Sequence, residues 1–183
     1  MNKKPDGTVV WAVFAVYVLT VFFSLGAAPE IWKAINASLG GKGMYWILIV
    51  YGMAAVGALT YIAVTFKGRN IWHYLVLPAS GVCYFLLIKA SKMPDEKIHL
   101  AEYSIMAALA CLAFRGHFDK KDPLLYVSAG ALSVFLGFLD EIVQLMLPNR
   151  YFDWNDVLVN AASSILAVLV IRFSFVRLEM KRS

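Results

Sequence analysis

The sequence predicts an all-α membrane protein, a bundle of about six transmembrane helices, and three observations predict it. Hydrophobic residues make up 61% of the 183 and charged ones 16%, with a mean hydropathy of +0.68. A soluble fold so composed would leave extensive apolar surface facing water. The apolar residues also gather into six runs that approach the roughly 20 residues a helix needs to cross a hydrocarbon core, where backbone groups must be hydrogen-bonded internally. Finally, Lys and Arg fall in short clusters between those runs. That is the pattern of membrane-protein loops rather than the continuous stripe of a nucleic-acid surface, so the net charge of +5 implies no nucleic-acid partner.

The length allows one domain, residues 1–183. The first run, Val9 to Ala28, follows Lys3 and Lys4 and is too long for the apolar region of a signal peptide; Pro29, directly after Gly26, Ala27 and Ala28, disfavours cleavage there. It reads as an uncleaved first helix. The stretch PEIWKAINASLGGKG then places Ile31, Ile35 and Leu39 on one helical face and Glu30, Lys33 and Asn36 elsewhere, which reads as a short interfacial helix ending at Gly40. The second and third runs are Met44 to Phe66 and Ile71 to Ile88, the latter containing Pro78. Ile98 to Phe114 carries His99 and Glu102 in its first turns, and Leu124 to Leu147 and Val157 to Phe175 complete the six. Cys83 and Cys111 lie inside apolar runs as small hydrophobes, with no disulfide framework around them. No internal repeat or low-complexity tract stands out.

Orientation follows from the distribution of Lys and Arg among the loops, the richer side being cytoplasmic. With six spans, eleven fall on one side: Lys3, Lys4, Lys67, Arg69, Arg115, Lys120, Lys121, Arg172, Arg177, Lys181 and Arg182. Six fall on the other: Lys33, Lys42, Lys89, Lys92, Lys97 and Arg150. Both termini are therefore expected in the cytoplasm.

This topology sends three polar segments to the extracytoplasmic end: PDEKIHLAEY entering the fourth span, DEIVQ closing the fifth and RYFDWNDVLVN opening the sixth. Residues three, four or seven apart share a helical face, so His99, Glu102 and Tyr103 share one, as do Asp140 and Gln144. Glu141 is turned about 100° from Asp140 and meets Gln144 three residues on. Asp153, Asp156 and Asn160 form a third stripe. The turn around Pro148 and Arg150 is short, so the last two spans are antiparallel neighbours whose stripes can face each other. An Asp at a helix centre costs about 2.5–3.5 kcal/mol on insertion scales, and less near the ends. Asp140 and Glu141 therefore ask for partners, and Arg150, Lys97 and His99 are available; the planar fork of Arg150 could bridge two carboxylates.

The order Asp95, Lys97, His99, Glu102 and Tyr103, then Asp140, Glu141 and Gln144, then Pro148 and Arg150, then Asp156 and Asn160 resembles the VanZ-like family of small bacterial membrane proteins. The motifs lie within residues 94–176. Two departures stand out: Asn149 where the family usually has Gly between Pro and Arg, and Ala161, Ala162, Ser163 and Ser164 where it usually has small Gly positions. The resemblance implies a multi-pass protein of the bacterial inner membrane with a role in the cell envelope or in resistance to glycopeptide antibiotics, notably teicoplanin.

The polar group itself admits several readings. It could be a buried network that only pins helices. It could recognise an anionic headgroup, a lipid-linked molecule or an amphiphilic glycopeptide through Arg150, Lys97 and His99. Acid–base work on a lipid-linked or peptidoglycan-related substrate would use Glu102, Asp140 or Glu141 with His99, although no nucleophile motif accompanies them. A metal site built from His99, Glu102, Asp140, Glu141, Asp153 and Asp156 is not singled out by spacing, so no metal or other cofactor is assigned. Tyr103, Tyr151, Phe152 and Trp154 could line a pocket or form an interfacial aromatic belt, and Trp72, His73 and Tyr74 read as belt residues at the other end. His117 reads as a solvated loop residue. Charged residues do not continue through the depth of the spans, which argues against a pump.

Overall fold

Each predicted apolar run folds as a helix because, in a chain this hydrophobic, the backbone satisfies its own hydrogen bonds most completely that way. The computed structural model describes residues 7–65, 71–91, 94–119, 121–148 and 150–176. Along these run α1 (Gly7–Ser24), α2 (Ala28–Ser38), α3 (Gly43–Thr65), α4 (Ile71–Ala90), α5 (Pro94–Phe114), α6 (Pro123–Leu145) and α7 (Trp154–Val170), the last continuing as a π-helical segment, Ile171–Val176. No strand occurs among the described residues. Four stretches are long and apolar enough to cross a membrane: Gly7–Ser24, Lys97–Phe114, Pro123–Leu145 and Trp154–Phe173. In α3 and α4 the shorter apolar stretches Gly43–Met53 and Leu75–Ala90 are described.

The short helix expected to end at Gly40 is α2, and it stops where glycine allows. Gly40 and Gly41 take φ of 60° and 77°, and their N–H groups donate to the carbonyls of Ala37 and Asn36 at 3.0 and 2.8 Å. This double closure satisfies the carbonyls at the helix end in a backbone conformation that a side chain disfavours. Asp122 caps α6 by accepting the Leu124 N–H at 2.8 Å, with Pro123 in the first turn. Helix α5 begins at Pro94, earlier than the expected Ile98, because its first turn is polar and a scan for apolar residues reads it as loop.

The centre of the bundle is α5, packed on α1, α6 and α7, while α4 lies on α7 and α2 on α3. Tyr103, Met106, Ala107, Ala110 and Cys111 of α5 meet Leu125, Tyr126 and Ala129 of α6, Ala167 and Val168 of α7, and Phe14 and Val21 of α1. α1 runs antiparallel to α5: the Trp11 ring packs edge-on against Phe114 at 5.2 Å, and farther along the Tyr17 hydroxyl donates to the Glu102 carbonyl at 3.0 Å.

On α6 and α7 the usual pattern of burial is inverted. Inward face Ser133, Gly137, Asp140, Glu141, Gln144, Asn160, Ser163 and Ser164, each at most 2% exposed apart from the glycine, whose side is also buried. Outward face Leu124, Val127, Phe135, Leu158 and Ile165. Lipid is as apolar as leucine, so such helices are held by close packing of small residues and by hydrogen bonds rather than by hydrophobic burial. Gly137 marks the tightest approach: a Cβ there would lie 2.8 Å from the Asn160 Cβ and 3.2 Å from the Tyr103 ring. The buried Ser163 and Ser164 keep α7 close to its neighbours without the glycine usual in the family.

Candidate functional site

The first turns of α5, the last turns of α6 and the first turn of α7 meet at one end of the bundle. His99 is 4% exposed, and its Nδ1 lies 3.1 Å from Glu102 Oε2 and 3.8 Å from Asp140 Oδ2. The first contact joins residues one turn apart on α5; the second crosses to α6. His99 of α5 and Asp140 of α6 thus meet at this end of the bundle.

Asp140 and Glu141 are both fully buried but differently provided for. Glu141 Oε1 accepts from Gln144 Nε2 at 2.9 Å, the expected pair within α6, and Oε2 accepts the backbone N–H of Asp153 at 3.1 Å. One carboxylate thus ties the end of α6 to the residue that precedes α7. Neither oxygen of Asp140 has a protein hydrogen bond of ordinary geometry, nor does the buried Tyr103 hydroxyl beside it or His99 Nε2. Tyr103 is fully buried, its ring centroid 6.2 Å from that of His99. It packs inside the bundle and does not line an open pocket.

Asp156, in the first turn of α7, is close enough for its charge to act on both His99 and Glu141. Asn160 is buried and donates through Nδ2 to the Gly137 carbonyl at 3.4 Å. Asp153 is the α7 cap, accepting the Asn155 N–H at 2.7 Å. The ammonium of Lys97 donates to the Ser91 carbonyl at 2.7 Å. The Lys97 carbonyl in turn accepts from the Tyr51 hydroxyl of α3. Tyr151 and Trp154 are exposed, and Trp154 stacks edge-on with Phe152 at 5.0 Å. His117 is exposed, with its ring 6.1 Å from that of Trp11. The side chains of Asp95, Trp72, His73 and Tyr74, and the whole of Asn149, lie outside the described residues, as do eight of the eleven basic residues assigned to the cytoplasmic side: Lys3, Lys4, Lys67, Arg69, Lys120, Arg177, Lys181 and Arg182.

Above His99 opens a cleft of about 150 Å³, lined by Ser24, Leu25, Trp32, Lys33, Ile98, His99, Glu102 and Arg150 among others. Its floor is ionisable. Its wall is the apolar corner where α1 gives way to α2, and Lys33 and Arg150 complete the lining. The contribution of α2 was not expected, since its amphipathic pattern reads only as surface attachment; the signal lay in Trp32 and Lys33 sitting one turn past the α1–α2 corner. A polar floor, an apolar wall and two cationic groups are suited to a molecule with a charged head and an apolar body.

The VanZ/LLP1 family model matches residues 9–176 of this chain. The chain belongs to that family. The match covers α1 through the π-helical segment, so the VanZ/LLP1 fold includes the α1–α2 corner as well as the motif-bearing helices. No curated protein and no solved structure matches the chain. As a VanZ/LLP1 membrane protein it brings the His99, Glu102, Asp140, Glu141 and Arg150 positions of the motifs together at one end of the bundle, beside the cleft.

Proposed function

We propose that this VanZ-like protein is a multi-pass protein of the bacterial inner membrane that recognises the anionic headgroup of an amphiphile in an extracytoplasmic cleft. Through that recognition it acts in the cell envelope, including tolerance of the glycopeptide teicoplanin. The observation that carries the reading is the cleft itself, which Arg150 and Lys33 line together with His99, Glu102 and the apolar residues of the α1–α2 corner. A guanidinium and an ammonium at a low-dielectric opening bind phosphate or carboxylate more strongly than they would in water. The extracytoplasmic assignment is supported by the eleven-to-six distribution of basic residues. The candidate ligands are a lipid-linked envelope precursor or the glycopeptide.

The test is expression in a teicoplanin-susceptible bacterium. The inhibitory concentration rises with the native chain and returns to the background value with Arg150→Ala or Lys33→Ala at equal membrane abundance. An unchanged rise in both variants would leave the cleft without a role. A second reading, acid–base processing of the bound headgroup, is favoured by the 3.1 Å His99–Glu102 contact and predicts a chemically altered lipid-linked product on incubation with purified protein.

A further inference from the structure

We infer that His99, Asp140 and Glu141 hold a single divalent cation of borderline character, zinc or manganese in class, beneath the cleft. The inference goes beyond headgroup recognition and does not depend on it, since Asp140 and Glu141 are fully buried in the bundle, although His99 also lines the cleft.

Geometry is the first ground. One ligating atom from each of the three residues lies within 4.8 Å of the others. Three ligands about 2.1 Å from a shared tetrahedral ion stand about 3.4 Å from one another, so side-chain rotations that bring the atoms closer by up to about 1.4 Å close the set. One imidazole with two carboxylates suits zinc or manganese and excludes the thiolate-seeking ions. Cys111, the buried thiol of α5, faces the hydrophobic core instead.

Unsatisfied polarity is the second ground. Asp140 is fully buried, and no hydrogen bond of ordinary geometry reaches either of its oxygens or either His99 nitrogen; its near neighbour is the Tyr103 hydroxyl, itself buried. Native interiors rarely leave several such atoms together, because each lost hydrogen bond costs about 1–3 kcal/mol. The pattern matches a site whose missing partner is an ion.

Charge is the third ground. Glu102, Asp140, Glu141 and Asp156 converge on His99 and Arg150. Four carboxyl groups thus stand about one imidazole and one guanidinium, and the inner two, Asp140 and Glu141, are fully buried. A divalent ion suits an oxygen-rich setting of this kind, where charge without a partner is expensive.

The surroundings also resemble an outer shell. Gln144 Nε2 and the Asp153 N–H fix the orientation of Glu141, and Glu102 stands 3.1 Å from His99 Nδ1, the nitrogen that also faces Asp140 at 3.8 Å, where it can orient the imidazole. Metal-binding imidazoles commonly pair their second nitrogen with a carboxylate in this way.

The experiment uses the full chain purified in detergent, stripped with chelator and titrated separately with zinc and manganese by calorimetry, with metal content measured after desalting. One ion per chain binds to the native protein for at least one of the two metals, and Asp140→Asn weakens binding by about tenfold or more. Absorption spectroscopy at the metal edge of the loaded native protein shows one imidazole in an otherwise oxygen shell, a readout that needs no variant to fold. Absence of saturable binding of both metals, a shell without imidazole, or Asp140→Asn binding as tightly as the native chain would each overturn the inference. Headgroup binding that persists in metal-free protein would leave the proposed function standing apart from it.

Discussion

Replacing Gly137 by alanine tests whether the polar cluster depends on the close approach of α5, α6 and α7. The added methyl would sit 2.8 Å from the Asn160 Cβ and 3.2 Å from a Tyr103 ring carbon, against an ordinary carbon–carbon separation of about 3.5–4.0 Å. Neither neighbour is the free end of a flexible chain: one is the first atom of a fully buried side chain and the other a ring packed in the core. The helices must therefore move apart by several tenths of an ångström. That stretches the Asn160–Gly137 hydrogen bond, already 3.4 Å long. Overpacking of this kind costs typically about 1–3 kcal/mol. For a chain of this size about 2 kcal/mol corresponds to roughly 4–8 °C in thermal midpoint. The assay is thermal unfolding of the detergent-purified protein, followed by near-ultraviolet circular dichroism. Gly81→Ala is the control, because a Cβ there has no atom within 4 Å, and alanine in an exposed helix interior is favoured over glycine by about 0.8–1.0 kcal/mol. The reasoning predicts a lowered midpoint for Gly137→Ala and an unchanged or raised one for Gly81→Ala. Equal stability of Gly137→Ala and the native chain would refute the packing described.

Three further substitutions test individual contacts. Glu141→Ala removes the acceptor of both the Gln144 amide and the Asp153 N–H; it should destabilise by about 1–3 kcal/mol per stranded donor, and chemical denaturation should show a larger loss than for Glu141→Gln. Asp122→Ala removes the α6 cap and should cost about 1 kcal/mol, with faster hydrogen exchange confined to the first turn of α6. Tyr17→Phe deletes the hydroxyl that α1 donates to the Glu102 carbonyl; a loss of about 0.5–1.5 kcal/mol is expected, and no change in the melting curve would mean that α1 is held by apolar contacts alone.

The fold was legible because hydropathy and helical period report directly on a bilayer protein. Each run became a helix, and Gly40 ended α2 where the left-handed turn was expected. The meeting of His99 with Glu102 and of Glu141 with Gln144 was equally legible, since spacings of three residues fix neighbours on a helix. Contacts between helices were harder to read. The His99–Asp140 approach follows from helix crossing, which sequence spacing does not encode, and Gly137 passes for one apolar residue among many until Asn160 and Tyr103 are placed against it. Its signal was the run of small residues Ala129, Gly130, Ser133 and Gly137 on the inward face of α6.

Lys97 and Asp153 show the opposite limit. Both are charged residues in motif-rich segments, and both make local backbone contacts, Lys97 to the Ser91 carbonyl and Asp153 to the Asn155 N–H. Helix ends attract such side chains for reasons unrelated to ligands. Sequence type alone does not separate that use from recognition. The cleft, by contrast, is lined by residues of the α1–α2 corner such as Trp32 and Lys33 and by His99, Glu102 and Arg150 far along the chain, and only tertiary structure brings them to one opening.

The account turns on a cleft that faces the outside of the cell, and the direct measurement is labelling of Lys33→Cys, with Cys83 and Cys111 replaced by serine, by a membrane-impermeant maleimide in intact cells. Lys33→Cys is predicted to label without permeabilisation, and a cysteine at Asp119, near the opposite end of α5, only after it. Labelling of Lys33→Cys that requires permeabilisation would place the cleft on the cytoplasmic side and contradict the proposed role.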